Sequence, residues 1–312
     1  MKKILTGFLI MLFTFSLKAQ DSTFTEKEIA INNFTEGTLT LPTGNKAQDL
    51  VIFVQGSGPT DRNGNSPMAK NDGIKKIAHE LAENGIASYR FDKRIFKMDK
   101  YGIKEKDLRF EDFVKDVEDI ITYFKNSDQF KNIIVAGHSE GSLIGMLAAK
   151  ARADAFISLA GAGEPFDNII VEQLAKQAPK LAENARAAFD EMKKEGQTSN
   201  YAPMLQSIFR ESVQPYMLSW IKYDPAEEIA KLNIPVLIIN GTTDVQVDTK
   251  EAEMLKKGKP DAELILIDRM NHIFRKVDSD DMLVNTKTYN EPSRPLHPEL
   301  IPALTKFIKD LK

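Results

Sequence analysis

The chain predicts an α/β fold: a mostly parallel central sheet flanked by helices, with a helical cap inserted between two of its strands. Three observations carry this. Short β-branched runs alternate with amphipathic stretches along most of the 312 residues, the pattern of strands joined through helices. The amphipathic stretches repeat their apolar residues at three and four positions. From about Pro165 to Lys231 the strand signal stops, and helical, charged and aromatic patches take its place.

The elements follow in order. Residues 1–19 place Lys2 and Lys3 ahead of a short apolar run that ends in small and polar residues, the layout of a secretory signal peptide. The run from Ile4 to Leu17 is shorter than the ~20 residues that span a bilayer, so no stable membrane anchor is expected after cleavage. "GTLTLP", Gly37 to Pro42, reads as an early antiparallel strand, while "LVIFVQG", "ASYRFD", "NIIVAG", "AFISLAG", "PVLIING" and "ELILID" read as central ones. Helices are expected over "DGIKKIAHELAENG", "FEDFVKDVEDIITYFKN" and "SEGSLIGMLAAKARA". In the second, Phe110, Phe113, Val114, Val117, Ile120, Ile121 and Phe124 form one stripe to bury against the sheet. The expected division is 1–19 signal peptide, 20–164 first part of the core, 165–231 helical cap, and 232–312 second part of the core.

Composition narrows the function. Hydrophobic residues at 42% and charged residues at 28%, with a net charge of -3 and no polybasic block, argue against nucleic acid as a partner. The chain has no cysteine, so an exported protein of this sequence must rest on its core without disulfides.

The chemistry centres on "GHSEG", Gly137 to Gly141. A serine in a sharp strand-to-helix turn crowds its neighbours, and side chains two positions before and after it would clash. "NIIVA" precedes the motif and "SLIGMLAAK" follows it, so both the strand and the helix are present. Ser139 is therefore the candidate nucleophile, and the Glu140 N–H at the helix start is a candidate oxyanion donor. A serine hydroxyl needs a base and a carboxylate to orient that base. His272 in "IDRMNHIF" is preferred as the base over His297 in "RPLHPEL", because it follows a strand directly. His138 is expected to point away from Ser139, and His79 to be structural or exposed. Asp244 in "INGTTDVQV" ends a buried strand and is preferred as the orienter over Asp268, which lies too near His272 in sequence to approach from a separate loop. "QGSGPTDRNGN" after the strand "LVIFV" offers a second oxyanion donor, the Ser57 N–H, with Gly58 as the alternative.

The segments "QGSGPTDRNGN", "YRFDKR", "GHSEGS", "INGTTDVQV" and "MNHIF", in this order, resemble those of the α/β-hydrolase superfamily, and within it the bacterial serine carboxylesterases with a GHSEG nucleophile elbow. The likeness covers nearly all of the expected mature chain and weakens across the cap. Gln55 departs from the pattern, since relatives often carry histidine there. The resemblance implies an α/β-hydrolase fold, the order Ser139, Asp244, His272, and hydrolysis of small-molecule carboxylic esters through an acyl-enzyme without metal or organic cofactor. Acyl thioesterase and peptidase activities use the same machinery, and a non-catalytic binding module is the rival from another class. Asp61, Arg62, Asp92, Lys93 and Arg94 lie in the resembling segments outside any triad, and a charged pin on the oxyanion loop is the role expected of them. The leader implies an exported protein, with the periplasm or the outside of the cell as the expected location.

Overall fold

The computed structural model describes residues 23–44 and 49–311, and the expected signal peptide lies outside them. The apolar runs become strands β2 (Glu36–Pro42), β3 (Asp49–Val54), β4 (Ala87–Phe91), β5 (Asn132–His138), β6 (Ala155–Leu159), β7 (Val236–Gly241) and β8 (Glu263–Ile267). One further strand, β1 (Phe24–Ala30), escaped the sequence reading. Together they form an eight-stranded sheet in the order β1-β2-β4-β3-β5-β6-β7-β8. The β1–β2 and β2–β4 pairs are antiparallel, and every pair from β4 through β3 to β8 is parallel. The strand "ELILID" is a correction. It was expected to be central, but as β8 it closes the sheet edge and is partly exposed.

Alternation along the strands builds two cores, because successive side chains point to opposite faces. Leu50, Ile52 and Val54 of β3 enter one core with Ile133 and Val135 of β5. Val51 and Phe53 enter the other with Ile134 and Ala136.

Helices cover both faces. They are α1 (Gly73–Glu83), α2 (Met98–Tyr101), α3 (Phe110–Asn126), α4 (Glu140–Arg152), α5 (Phe166–Gln177), α6 (Pro179–Glu195), α7 (Gln206–Phe209), α8 (Gln214–Ile221), α9 (Pro225–Ala230), α10 (Thr249–Gly258), α11 (Met282–Lys287) and α12 (Leu300–Lys309). On the first face α3 buries all seven residues of its expected stripe, each large side chain contributing about 1.5 to 3 kcal/mol. On the second face α1 and α12 bury Ile74, Ile77, Leu81, Leu300, Leu304 and Ile308 at helical spacing. Five helices, α5 to α9, stand between β6 and β7. No helix among the described residues is long and apolar enough to cross a membrane.

Candidate active site

The parallel strands all deliver their carboxyl ends to one edge, where crevices form in open α/β sheets. Ser139 follows β5 directly and caps α4 with φ 55° and ψ -122°. A non-glycine residue at positive φ is strained by about 1 to 3 kcal/mol. The flanking glycines make the turn possible by close approach. A Cβ on Gly137 would lie 2.1 Å from the Gly141 carbonyl oxygen, and one on Gly141 would lie 2.2 Å from the Val54 carbonyl oxygen. The elbow therefore sits tight against the end of β3.

The other two residues arrive on loops after β7 and β8. His272 Nδ1 lies 2.7 Å from Asp244 Oδ2, with side chains 4% and 0% exposed. The second carboxylate oxygen of Asp244 accepts the Gln246 and Val247 N–H groups at 2.8 and 2.9 Å. With Nδ1–H donating to Asp244, the His272 Nε2 lone pair is free to accept a proton. His272 is brought beside the elbow through His138, whose Nε2–H donates to the His272 carbonyl at 2.9 Å. Among the described residues no hydrogen bond joins Ser139 Oγ to His272, a link that often tightens only with substrate bound.

The rivals sit elsewhere. His297 is buried, with Nδ1 accepting the Glu299 N–H at 3.3 Å, and His79 pairs with Glu26. Asp268 accepts the Thr242 hydroxyl at 3.0 Å rather than meeting His272. Behind the loops carrying Asp244 and His272, Asn271 Nδ2 reaches Asn285 Oδ1 at 3.1 Å and Thr288 Oγ1 at 2.9 Å, and Asn285 Nδ2 donates to the Thr243 carbonyl at 2.7 Å. These contacts lock the loop carrying His272 to the loop carrying Asp244. Sequence reasoning passed over them because an asparagine in a loop carries no pattern of its own.

The loop after β3 lies against the serine: a Cβ on Gly56 would stand 3.3 Å from the Ser139 Cβ. The Ser57 and Glu140 N–H groups donate to no protein acceptor among the described residues. Further along the loop, Arg62 donates to Asp92 from its backbone N–H at 2.9 Å and from Nε and Nη2 at 3.0 and 2.6 Å. That is the charged pin, now with its partners. Asp61 instead closes a turn by accepting the Asn63 and Asn65 N–H groups, and Arg94 makes a double contact with Asp116 on α3. Gln55 is buried, and its side-chain amide reaches the Arg62 carbonyl at 3.5 Å.

A cavity of about 450 Å³ opens at Ser139, Ser57 and Glu140 and runs between α3 and the inserted helices. Its walls are mainly apolar, with Phe113, Phe166, Ile169, Met217 and Trp220 among them. Of the inserted aromatics, Tyr216 and Trp220 line it, whereas Phe209 packs on Phe189 and Tyr223 donates to Glu111 at 2.6 Å. Glu140 answers a further question. Its carboxylate is 2% exposed and receives Lys93 Nζ at 2.7 Å on one oxygen and the Tyr216 hydroxyl at 2.6 Å on the other.

Burial, and then the charge of neighbouring His272, pushes the His138 imidazole down to about 3. It is thus neutral in the folded protein at any ordinary pH. In the unfolded chain it takes up a proton near pH 6.5, so its contribution to stability is complete above that pH and is lost as pH falls toward 3. Urea unfolding between pH 6 and 4 should show stability falling by up to about 1.4 kcal/mol per unit from this group. His138→Gln, which retains an N–H donor, should show a correspondingly shallower slope, and an unchanged slope would refute the assignment.

The sheet order and its flanking helices define the α/β-hydrolase fold. Residues 71–214 match the family described as serine aminopeptidase, S33. Esterase EstD of Thermotoga maritima is 27% identical over 268 residues, 80% of this chain and 60% of that protein, so the chain spans about 60% of the length of this relative. Among solved structures, Est1E from Butyrivibrio proteoclasticus superposes with a TM-score of 0.55 at 17% identity, covering 91% of this chain and 99% of that one. Proline iminopeptidase of Mycobacterium smegmatis superposes with a TM-score of 0.52 at 13% identity, covering 91% and 98%. At such identities the structural likeness speaks for the fold, while the sequence likenesses are to a serine aminopeptidase family over residues 71–214 and to an esterase.

Proposed function

We propose that the protein is an exported serine carboxylesterase working through an acyl-enzyme on Ser139. The observation that carries this reading is the buried Asp244–His272 pair beside a strained serine at the mouth of an apolar cavity. Ser139 Oγ attacks the acyl carbon while His272 Nε2 takes its proton. The oxyanion is stabilised by the Ser57 and Glu140 N–H groups. His272 then protonates the departing alcohol, and water activated by the same nitrogen cleaves the acyl-Ser139 ester. Export rests on residues 1–19 alone, and cell fractionation tests it.

Peptide hydrolysis is the second reading, favoured by the aminopeptidase family match. An aminopeptidase must hold a substrate ammonium, and the carboxylates on the cavity wall are engaged. Glu105 pairs with Arg210, Glu140 with Lys93, and Glu164 lies 3.7 Å from Lys250. Esters, which bring no such charge, suit the wall better. Aryl esters of increasing acyl length, an acyl-CoA and aminoacyl arylamides should therefore be compared on the mature protein. Turnover of short and medium aryl esters in preference to the others is expected, and rapid amide cleavage with negligible ester cleavage would overturn the esterase reading.

A further inference from the structure

Lys93, two residues past the end of β4, is buried and makes three contacts at once. Its Nζ donates to the Gly56 carbonyl at 2.8 Å and to Glu140 Oε2 at 2.7 Å, and it stands 5.0 Å from the centre of the Phe113 ring. The Gly56 carbonyl and the Ser57 N–H belong to one peptide unit, and among the described residues no peptide bond is cis. In a planar trans peptide these two groups point in opposite directions. Whatever fixes the carbonyl therefore fixes the N–H, and here the carbonyl is fixed by an ammonium group. Glu140 closes the arrangement from the other side. Its backbone N–H is the second proposed donor, while its carboxylate holds Lys93 and accepts the Tyr216 hydroxyl from α8 in the inserted helices.

We propose that Lys93, Glu140 and Tyr216 are positioning residues that aim both oxyanion donors and tie their geometry to the cap. The proposal rests on the acyl-enzyme reading given above. None of the three side chains takes part in proton transfer. Lys93 prevents the Gly56–Ser57 peptide from rotating, an event that would turn a carbonyl oxygen toward the developing negative charge. Tyr216 carries the position of α8 to the same carboxylate, so the hole is aimed best when the cap helix is seated. Lys93, Glu140 and Tyr216 come from three separate segments, and only the fold joins them.

The test is a variant series read by kcat, KM and affinity for two ligands. A trifluoromethyl ketone adds to Ser139 Oγ, its carbonyl oxygen becoming the hemiketal oxyanion as the serine proton passes to His272. The product carboxylic acid serves as the ligand that needs no hemiketal. Lys93→Met should lower kcat and ketone affinity together by about tenfold to a hundredfold, less than outright loss of a donor, with KM and product affinity little changed. Tyr216→Phe should show the same pattern with a smaller loss. Lys93→Met leaves a buried carboxylate unpaired and is expected to destabilise the fold, so Lys93→Met/Glu140→Gln is the second variant. It should regain thermal stability without regaining kcat or ketone affinity, which a purely charge-balancing role would not produce. Recovery of wild-type kcat in the double variant would overturn the proposal. A Ser139→Ala control separates the two claims: if it keeps full turnover, the acyl-enzyme reading falls and takes this one with it. If it is inactive while Lys93→Met keeps wild-type kcat and ketone affinity, the positioning role alone is refuted.

Discussion

Ser139→Ala is expected to lower kcat for an aryl ester by about 10⁶-fold, the scale reached when a nucleophilic serine is taken from a working triad. The structure makes this a clean substitution. The Ser139 side chain makes no hydrogen bond among the described residues that alanine would forfeit. Its backbone bonds, to the Leu159 carbonyl at 3.0 Å and from the Ser142 N–H at 2.9 Å, are retained. The cost of φ 55° falls on alanine as it does on serine, so the thermal midpoint should barely move. Loss of activity without loss of fold, together with loss of fluorophosphonate labelling at residue 139, is the expected result. Full ester turnover by the variant would exclude the acyl-enzyme.

The site was more legible than the sheet edges, for physical reasons. The strand-to-helix turn at Ser139 imposes its glycines through contacts as short as 2.1 Å between an added Cβ and backbone, and such a demand appears in sequence as a fixed local spacing. The Asp244–His272 pair was readable because both residues follow strands whose ends converge on one edge. β1 was not readable: it is an edge strand whose side chains are mostly exposed, and "FTEKEIA" lacks the β-branched run that marks a covered strand. β8 misled in the opposite direction, since "ELILI" looks covered on both faces while the sheet ends there. The Lys93–Glu140–Tyr216 chain joins positions 47 and 76 apart. Nothing local requires that pairing, so it emerges only when β4, α4 and α8 are packed together. Charge did mark Lys93 as one of several candidates for a pin, and packing selected Arg62 with Asp92 for the loop's end and Lys93 with Glu140 for its start.

Asp244→Asn is expected to cost about 10⁴-fold in kcat, the loss that follows when the triad histidine is held in the wrong tautomer. The reason lies in the other half of the carboxylate. Oδ1 of Asp244 accepts two backbone N–H groups, from Gln246 and Val247, so an asparagine at this position must place its oxygen there and turn its NH₂ toward His272. A donor then faces His272 Nδ1 across 2.7 Å, and the imidazole answers by moving its proton to Nε2. The nitrogen that should take the Ser139 proton is now a donor, and the base is lost although every atom remains near its place. Nitrogen-15 NMR of the imidazole should show the proton on Nδ1 in the wild type and on Nε2 in the variant, with substrate KM little altered. An activity within tenfold of wild type, or an unchanged tautomer, would mean that Asp244 serves only to close its own turn. The two N–H groups that steady the loop are thus also what makes this carboxylate irreplaceable by its amide.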